Sequence, residues 1–140
     1  MPHITIRAMT MKKKYEMFGE VVNGLQRIRA LKGFGEVKVG DIGGWIQKES
    51  NLSHDGNCWV SDDAKVFGNA KVSGHARVDV CAKIYDDAVI SGCAVISGCV
   101  VVRGCAKVSG CAKVSGHARV SGHARVFGND LVSGNDKIYS

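Results

Sequence analysis

Val or Ile recurs at every sixth position over most of the chain: Val60, Val66, Val72, Val78, Ile84, Ile90, Ile96, Val102, Val108, Val114, Val120, Val126, Val132 and Ile138. Four residues after most of these sits Ala, at positions 64, 70, 76, 82, 88 and 94, then 106, 112, 118 and 124. Ala and the next aliphatic residue are two apart, so on a strand both point to one side. The residue between them points to the other side and is usually Lys or Arg. A unit such as Val114-Ser115-Gly116-His117-Ala118-Arg119 is therefore a short strand and a corner. Gly followed by a small polar residue suits a turn with positive φ at its first central position.

A helix is excluded because a period of six does not match 3.6, and a Gly in nearly every unit would cost about 1 kcal/mol each. A meander of hairpins is excluded because such short strands cannot pair stably that way. The remaining all-β solution is a parallel coil stacked on itself, three units to a triangular turn, with about 4.8 Å between coils. The Val and Ala columns then fill the shaft.

The repeat over 58–140 resembles the hexapeptide repeat of left-handed parallel β-helices, and the left hand is implied by that resemblance alone. A longer likeness includes Gly40-Asp41-Ile42-Gly43-Gly44-Trp45-Ile46-Gln47-Lys48-Glu49-Ser50-Asn51-Leu52-Ser53 and Cys58-Trp59-Val60. It resembles the start of YdcK-like hexapeptide-repeat proteins of enterobacteria and their phages. Members are often named as transferases or polymer-forming proteins, so the resemblance implies the fold and says little about activity.

Residues 1–57 do not repeat. Strand-like runs occur at Ile4–Arg7, Lys14–Phe18, Leu25–Leu31, Val37–Val39 and Trp45–Gln47, with turn signals at Asn23-Gly24 and Lys32-Gly33. A solenoid needs an end cap to cover its strand edges and apolar shaft. We read 1–57 as an N-terminal β cap, with Trp45 and Trp59 packing near its junction with the β-helix at 58–140. Met11 precedes Lys12-Lys13-Lys14 as a second potential start, which would leave 1–10 as a loose arm. The lysine run itself reads as a solvated segment. Near the other end Asp130 and Asp136 replace Ala at inward positions. An unpaired carboxylate cannot sit in an apolar shaft, so a frayed or specially bonded last coil, blunted against end-to-end growth, is expected.

Aromatic residues make up only 6% of the chain, so the core must be built from small aliphatic residues. The net charge of +6 permits an anionic partner without requiring one. No apolar run is long enough to span a membrane, and Met1-Pro2-His3-Ile4-Thr5 lacks a signal-peptide core. We expect no membrane association and a location in the cytoplasm of the producing or infected bacterial cell. The six cysteines are then expected as thiols.

Residues eighteen apart stack. The corner residues after Gly form three columns: Asp63, Cys81, Cys99, His117 and Asn135; Asn69, Asp87, Cys105 and His123; His75, Cys93, Cys111 and Asn129. Zinc ligands converge from several directions, whereas ladder side chains run parallel, so no metal site is expected and no cofactor. The outward mid-strand column is mostly basic, including Lys107, Lys113, Arg119 and Arg125, but is Val at 89, 95 and 101. With Val100 these form an apolar belt around a basic shaft. We expect part of the belt in a subunit or partner interface, in a homo-oligomer for which the resemblance implies a trimer.

Three functions fit. The first is a non-enzymatic binding or structural module, phage- or prophage-encoded, because no catalytic loop interrupts the repeat. The second is an acyltransferase using acyl-CoA. Hexapeptide-repeat enzymes use a His as base, and His75, His117 and His123 are weak candidates with no unusual neighbour in the sequence. The third is a binder of nucleotide or nucleic acid through the basic columns or a subunit cleft. The outward aromatics that nucleic acid would stack on are few: Phe67, Tyr85 and Phe127.

Overall fold

A computed structural model describes residues 13–139. The sequence-predicted strand at Ile4–Arg7, the arm at 1–10 and Lys12 lie outside the described residues. The rest is an all-β parallel solenoid with one turn of 3-10 helix, Glu49–Asn51. Strand pairs fall eighteen residues apart, as in Lys65↔Lys83, Lys71↔Val89 and Arg77↔Val95. The strands sort into three sheets of eight, five and four strands, one on each side of the shaft. The five-stranded sheet stacks Trp59–Val60, Arg77–Val80, Val95–Gly98, Lys113–Val114 and Leu131–Val132, one strand per turn, for about five turns.

The core follows from the period. Every member of the aliphatic column from Val60 to Val120 is buried, and so is every Ala from 64 to 124. Val100 takes the Ala place in its coil and is fully buried. It therefore belongs to the shaft, and the expected apolar belt reduces to Val89, Val95 and Val101. Each of these is half-buried on a different sheet.

The corners are tight turns with a positive φ at the first central position. In Ser73-Gly74-His75-Ala76 the Ala76 N–H donates to the Ser73 carbonyl at 3.4 Å, and Gly74 at the first central position has φ 68°. Val80 occupies this glycine place with φ 62°. The paired corner yields, with Gly98 at φ 105° where other corner glycines lie near 60–70°. A β-branched residue held there costs on the order of 1–3 kcal/mol. Val80 is 41% exposed, so little packing offsets that cost. Val80→Gly should stabilise the chain by about 1 kcal/mol after the larger unfolded-state entropy of Gly. Denaturant unfolding measures it, and an unchanged midpoint would show that the corner is unstrained.

The parallel ladder is joined earlier than the strict repeat. Trp45 pairs with Lys65 and Leu52 with Val72, both twenty residues apart. Ile46 and Leu52 fill the aliphatic column of the first coil. Two extra residues between Leu52 and Val60 shift the period there.

Before this coil runs an antiparallel hairpin, β1 (Tyr15–Val22) and β2 (Leu25–Ala30), turned at Asn23-Gly24. β2 pairs with β3 (Ile42–Ile46), which joins the eight-stranded sheet. Val37–Val39 forms no strand and contributes one bridge, Phe34↔Val37. Trp59 is buried against Tyr15 and Phe34, with ring centroids at 6.4 and 5.2 Å. Trp45 lies instead on the outer face, under the Arg27 guanidinium at 4.6 Å.

The hairpin supplies hydrogen-bond donors to carbonyls that have no preceding coil. Lys14 is fully buried, and its Nζ donates to the carbonyls of Cys58 at 2.7 Å and Gly56 at 3.2 Å. Tyr15 donates to the Leu52 carbonyl at 2.6 Å. Burial holds Lys14 below its ordinary pKa and raises those of Tyr15 and Cys58. Lys14 thus acts as a buried structural donor, not part of a solvated run.

At the far end the inward aspartates are exposed. Asp130 accepts the Phe127 N–H and Asp136 the Ser133 N–H, each at 3.3 Å. In the preceding coil the equivalent N–H groups of Ser109 and Ser115 donate to Val126 and Val132. The two carboxylates accept N–H groups whose equivalents one coil earlier go to backbone carbonyls.

Candidate anion-binding groove

Each coil places two outward side chains on the eight-stranded face: one in mid-strand and one just after the buried aliphatic. Register stacks the first as Lys65, Lys83, Val101, Arg119 and Lys137. The second column is Phe67, Tyr85, Arg103, Ser121 and Tyr139. Large side chains flank small ones, since Val101 and Ser121 lie between Tyr85 and Tyr139 along the axis. A groove of about 400 Å³ results, lined by Lys83, Tyr85, Val101, Arg103, Arg119, Ser121, Lys137 and Tyr139. Tyr85 to Tyr139 spans three coil steps, or about 14 Å at the pitch of a parallel sheet.

Four cations line the groove, and no acid does. Arg103 alone meets a carboxylate, with Nε 3.7 Å from Asp86 across the rim. That pair is half exposed and contributes little. Among the described residues Lys83, Arg119 and Lys137 make no ion pair. Tyr85 stacks on Phe67, with centroids at 5.0 Å and planes 4° apart, which fixes its ring at the groove end. The arrangement can hold an elongated anion, with phosphate or carboxylate groups on the cations and a ring or sugar face on the tyrosines.

Of the residues singled out in the sequence, the groove gathers Lys83 and Arg119 of the basic column, Val101 and the outward aromatic Tyr85. Lys107 and Arg125 lie with Val89 on the four-stranded face. Lys113 lies with Val95 on the five-stranded face. His75, His117 and His123 are exposed on three different corners and are not brought together. His75 Nδ1 accepts the Asn57 N–H at 3.3 Å, and His117 lies beside Arg119 and Lys137. Arg103, Lys137 and Tyr139 were missed. The available signal was Arg103 standing where most repeats carry Ser, together with counting by eighteen.

Fold and groove together define a parallel β-solenoid with a groove lined by four cations. Residues 118–134 match the family described as YdcK Beta solenoid repeat. The chain is also similar to the protein named "Uncharacterized acetyltransferase YdcK" of Escherichia coli (strain K12), with 44% identity over 45 residues. That stretch is 31% of this chain and 14% of the length of that relative. The likeness therefore concerns less than a third of this chain and a small part of that relative. Among the described residues no helix is long and apolar enough to cross a membrane.

Proposed function

We propose that this chain is a non-enzymatic binding module that holds an elongated anionic ligand along its eight-stranded face. One observation supports this reading: the groove concentrates Lys83, Arg103, Arg119 and Lys137 between two tyrosines. The half-buried valines Val89, Val95 and Val101 offer each face a small apolar contact for a homo-oligomer, with the trimer as our expectation. A cytoplasmic setting in a bacterium or its phage belongs to the same reading.

Heparin serves as the probe polyanion. The variant Lys83→Glu/Arg119→Glu/Lys137→Glu should lose at least tenfold in affinity and show a shallower dependence of log affinity on log salt. The matched change on the four-stranded face, Lys71→Glu/Lys107→Glu/Arg125→Glu, should lose much less. Equal losses from both faces would show diffuse attraction to a basic shaft and would end the groove reading.

A second reading, acyl transfer, is favoured by the name of the relative and by His117 beside the basic groove. Acetyl-CoA would then raise the melting temperature, and His117→Ala would abolish acetylation of an acceptor while keeping that shift.

A further inference from the structure

Five of the six cysteines are exposed, and all five occupy the corner place after a corner residue with positive φ. Four of them stack as pairs eighteen residues apart, Cys81 under Cys99 and Cys93 under Cys111. The backbone fixes the register, since the Cys81 N–H donates to the Gly98 carbonyl at 3.1 Å and the Cys93 N–H to the Gly110 carbonyl at 2.7 Å. The two pairs lie on different edges of the shaft, one after the five-stranded face and one after the four-stranded face.

A disulfide fits this stacking poorly. It needs Cβ atoms about 3.5–4.5 Å apart, whereas the pitch of the column is about 4.8 Å. A tetrahedral ion fits poorly too, because no group of three or more His, Cys, Asp or Glu converges among the described residues. Two-coordinate binding is different. Thiolate bonds to four-coordinate zinc are about 2.3 Å, and two somewhat shorter bonds in a line span roughly 4 Å or a little more. That span is close to the column pitch of about 4.8 Å, so two stacked thiols can face one ion between them. Thiolates select soft ions, Cu(I) among them, and Cu(I) accepts two thiolates in a line. The thiols of the first pair already interact: the Cys99 thiol raises the pKa of Cys81, with Asp63 and Asp62 adding to the effect.

We propose that Cys81/Cys99 and Cys93/Cys111 are two stacked dithiol sites, each binding one soft monovalent cation such as Cu(I) in linear coordination. Each event exchanges protons for metal. Two thiols and Cu(I) give an anionic bis-thiolate complex and release two protons, with no change of oxidation state. Capture therefore strengthens as pH rises.

The test uses the whole chain and cuprous ion, supplied without oxygen against a chromophoric Cu(I) chelator and read by native mass spectrometry. Two equivalents per chain are expected. Cys81→Ser should lower this to one and Cys81→Ser/Cys93→Ser to none. Cys105→Ser should leave two. Loading should also protect the four paired cysteines from iodoacetamide while Cys105 still reacts, which tests the sites without any substitution. Uptake of fewer than two equivalents by the unaltered chain would overturn the proposal. So would retention of both equivalents in the double variant, or equal protection of Cys105.

Discussion

Asn51→Leu should destabilise the chain by about 3–4 kcal/mol, a large share of the 5–15 kcal/mol typical of a domain. The Asn51 side chain is fully buried and makes four bonds. Its Oδ1 accepts the N–H groups of Gln47 and Lys48 at 3.0 and 2.9 Å. Its Nδ2 donates to the carbonyls of Gly68 and Ala70 at 3.2 and 2.9 Å. One amide thus ties the 3-10 turn to the edge of the second coil. Leucine has a similar volume and keeps the packing, so the loss isolates the hydrogen bonds. Gln47 and Lys48 are exposed and can recover water, whereas the Ala70 and Gly68 carbonyls are set against the coil and would be left bare. A buried group without a partner costs about 1–3 kcal/mol. Urea unfolding gives the value, and a loss below about 1 kcal/mol would show that water enters the site freely. Asn51→Asp is a second check. It keeps the two accepted bonds but turns a carboxylate oxygen toward two carbonyls, and it should be no better than leucine.

The second large effect is expected at Gly92. Its φ is 67°, and a Cβ built there would lie 2.8 Å from both the N and the O of Gly110 in the next coil. Gly92→Ala meets two costs: the strain of positive φ, and a clash with backbone that is itself held in the ladder. Together these should amount to about 2–4 kcal/mol. Gly128 lies higher in the same column with φ 63° and nothing within 4 Å of a Cβ. Gly128→Ala carries only the backbone strain, about 1 kcal/mol. The difference between the two variants measures the price of stacking alone, and equal losses would mean that the coils separate easily to admit a methyl group.

Much of this architecture was legible from period alone. An aliphatic residue every sixth position, with Ala four later, predicts which side chains fill the shaft and which residues stack. The first coil was hidden because two extra residues before Val60 break the count, although Ile46 and Leu52 obey it on their own side of the break. The way the cap is anchored was hidden for another reason. Lys14 and Asn51 are polar residues in polar surroundings of the sequence, and only the geometry of bare carbonyls shows why they are buried. Asp130 and Asp136 were visible as exceptions, and their role as acceptors for stranded N–H groups came from the coil end itself. The groove falls between these cases. Its cations follow from counting by eighteen, but its depth depends on Val101 and Ser121 being small between larger neighbours, which period does not encode.

The tight corners and the eighteen-residue register make length a quantised property of this molecule. Removing or duplicating one full turn shifts everything above it by a single pitch and restores every column. Removing one or two units instead rotates the remainder onto another face, whereas a small corner insertion such as the two residues before Val60 is absorbed locally. The groove and both cysteine pairs extend over a small number of turns, so genetic drift in turn number would lengthen or shorten that face in discrete steps. A chain of this kind behaves as a ruler whose graduations are whole coils.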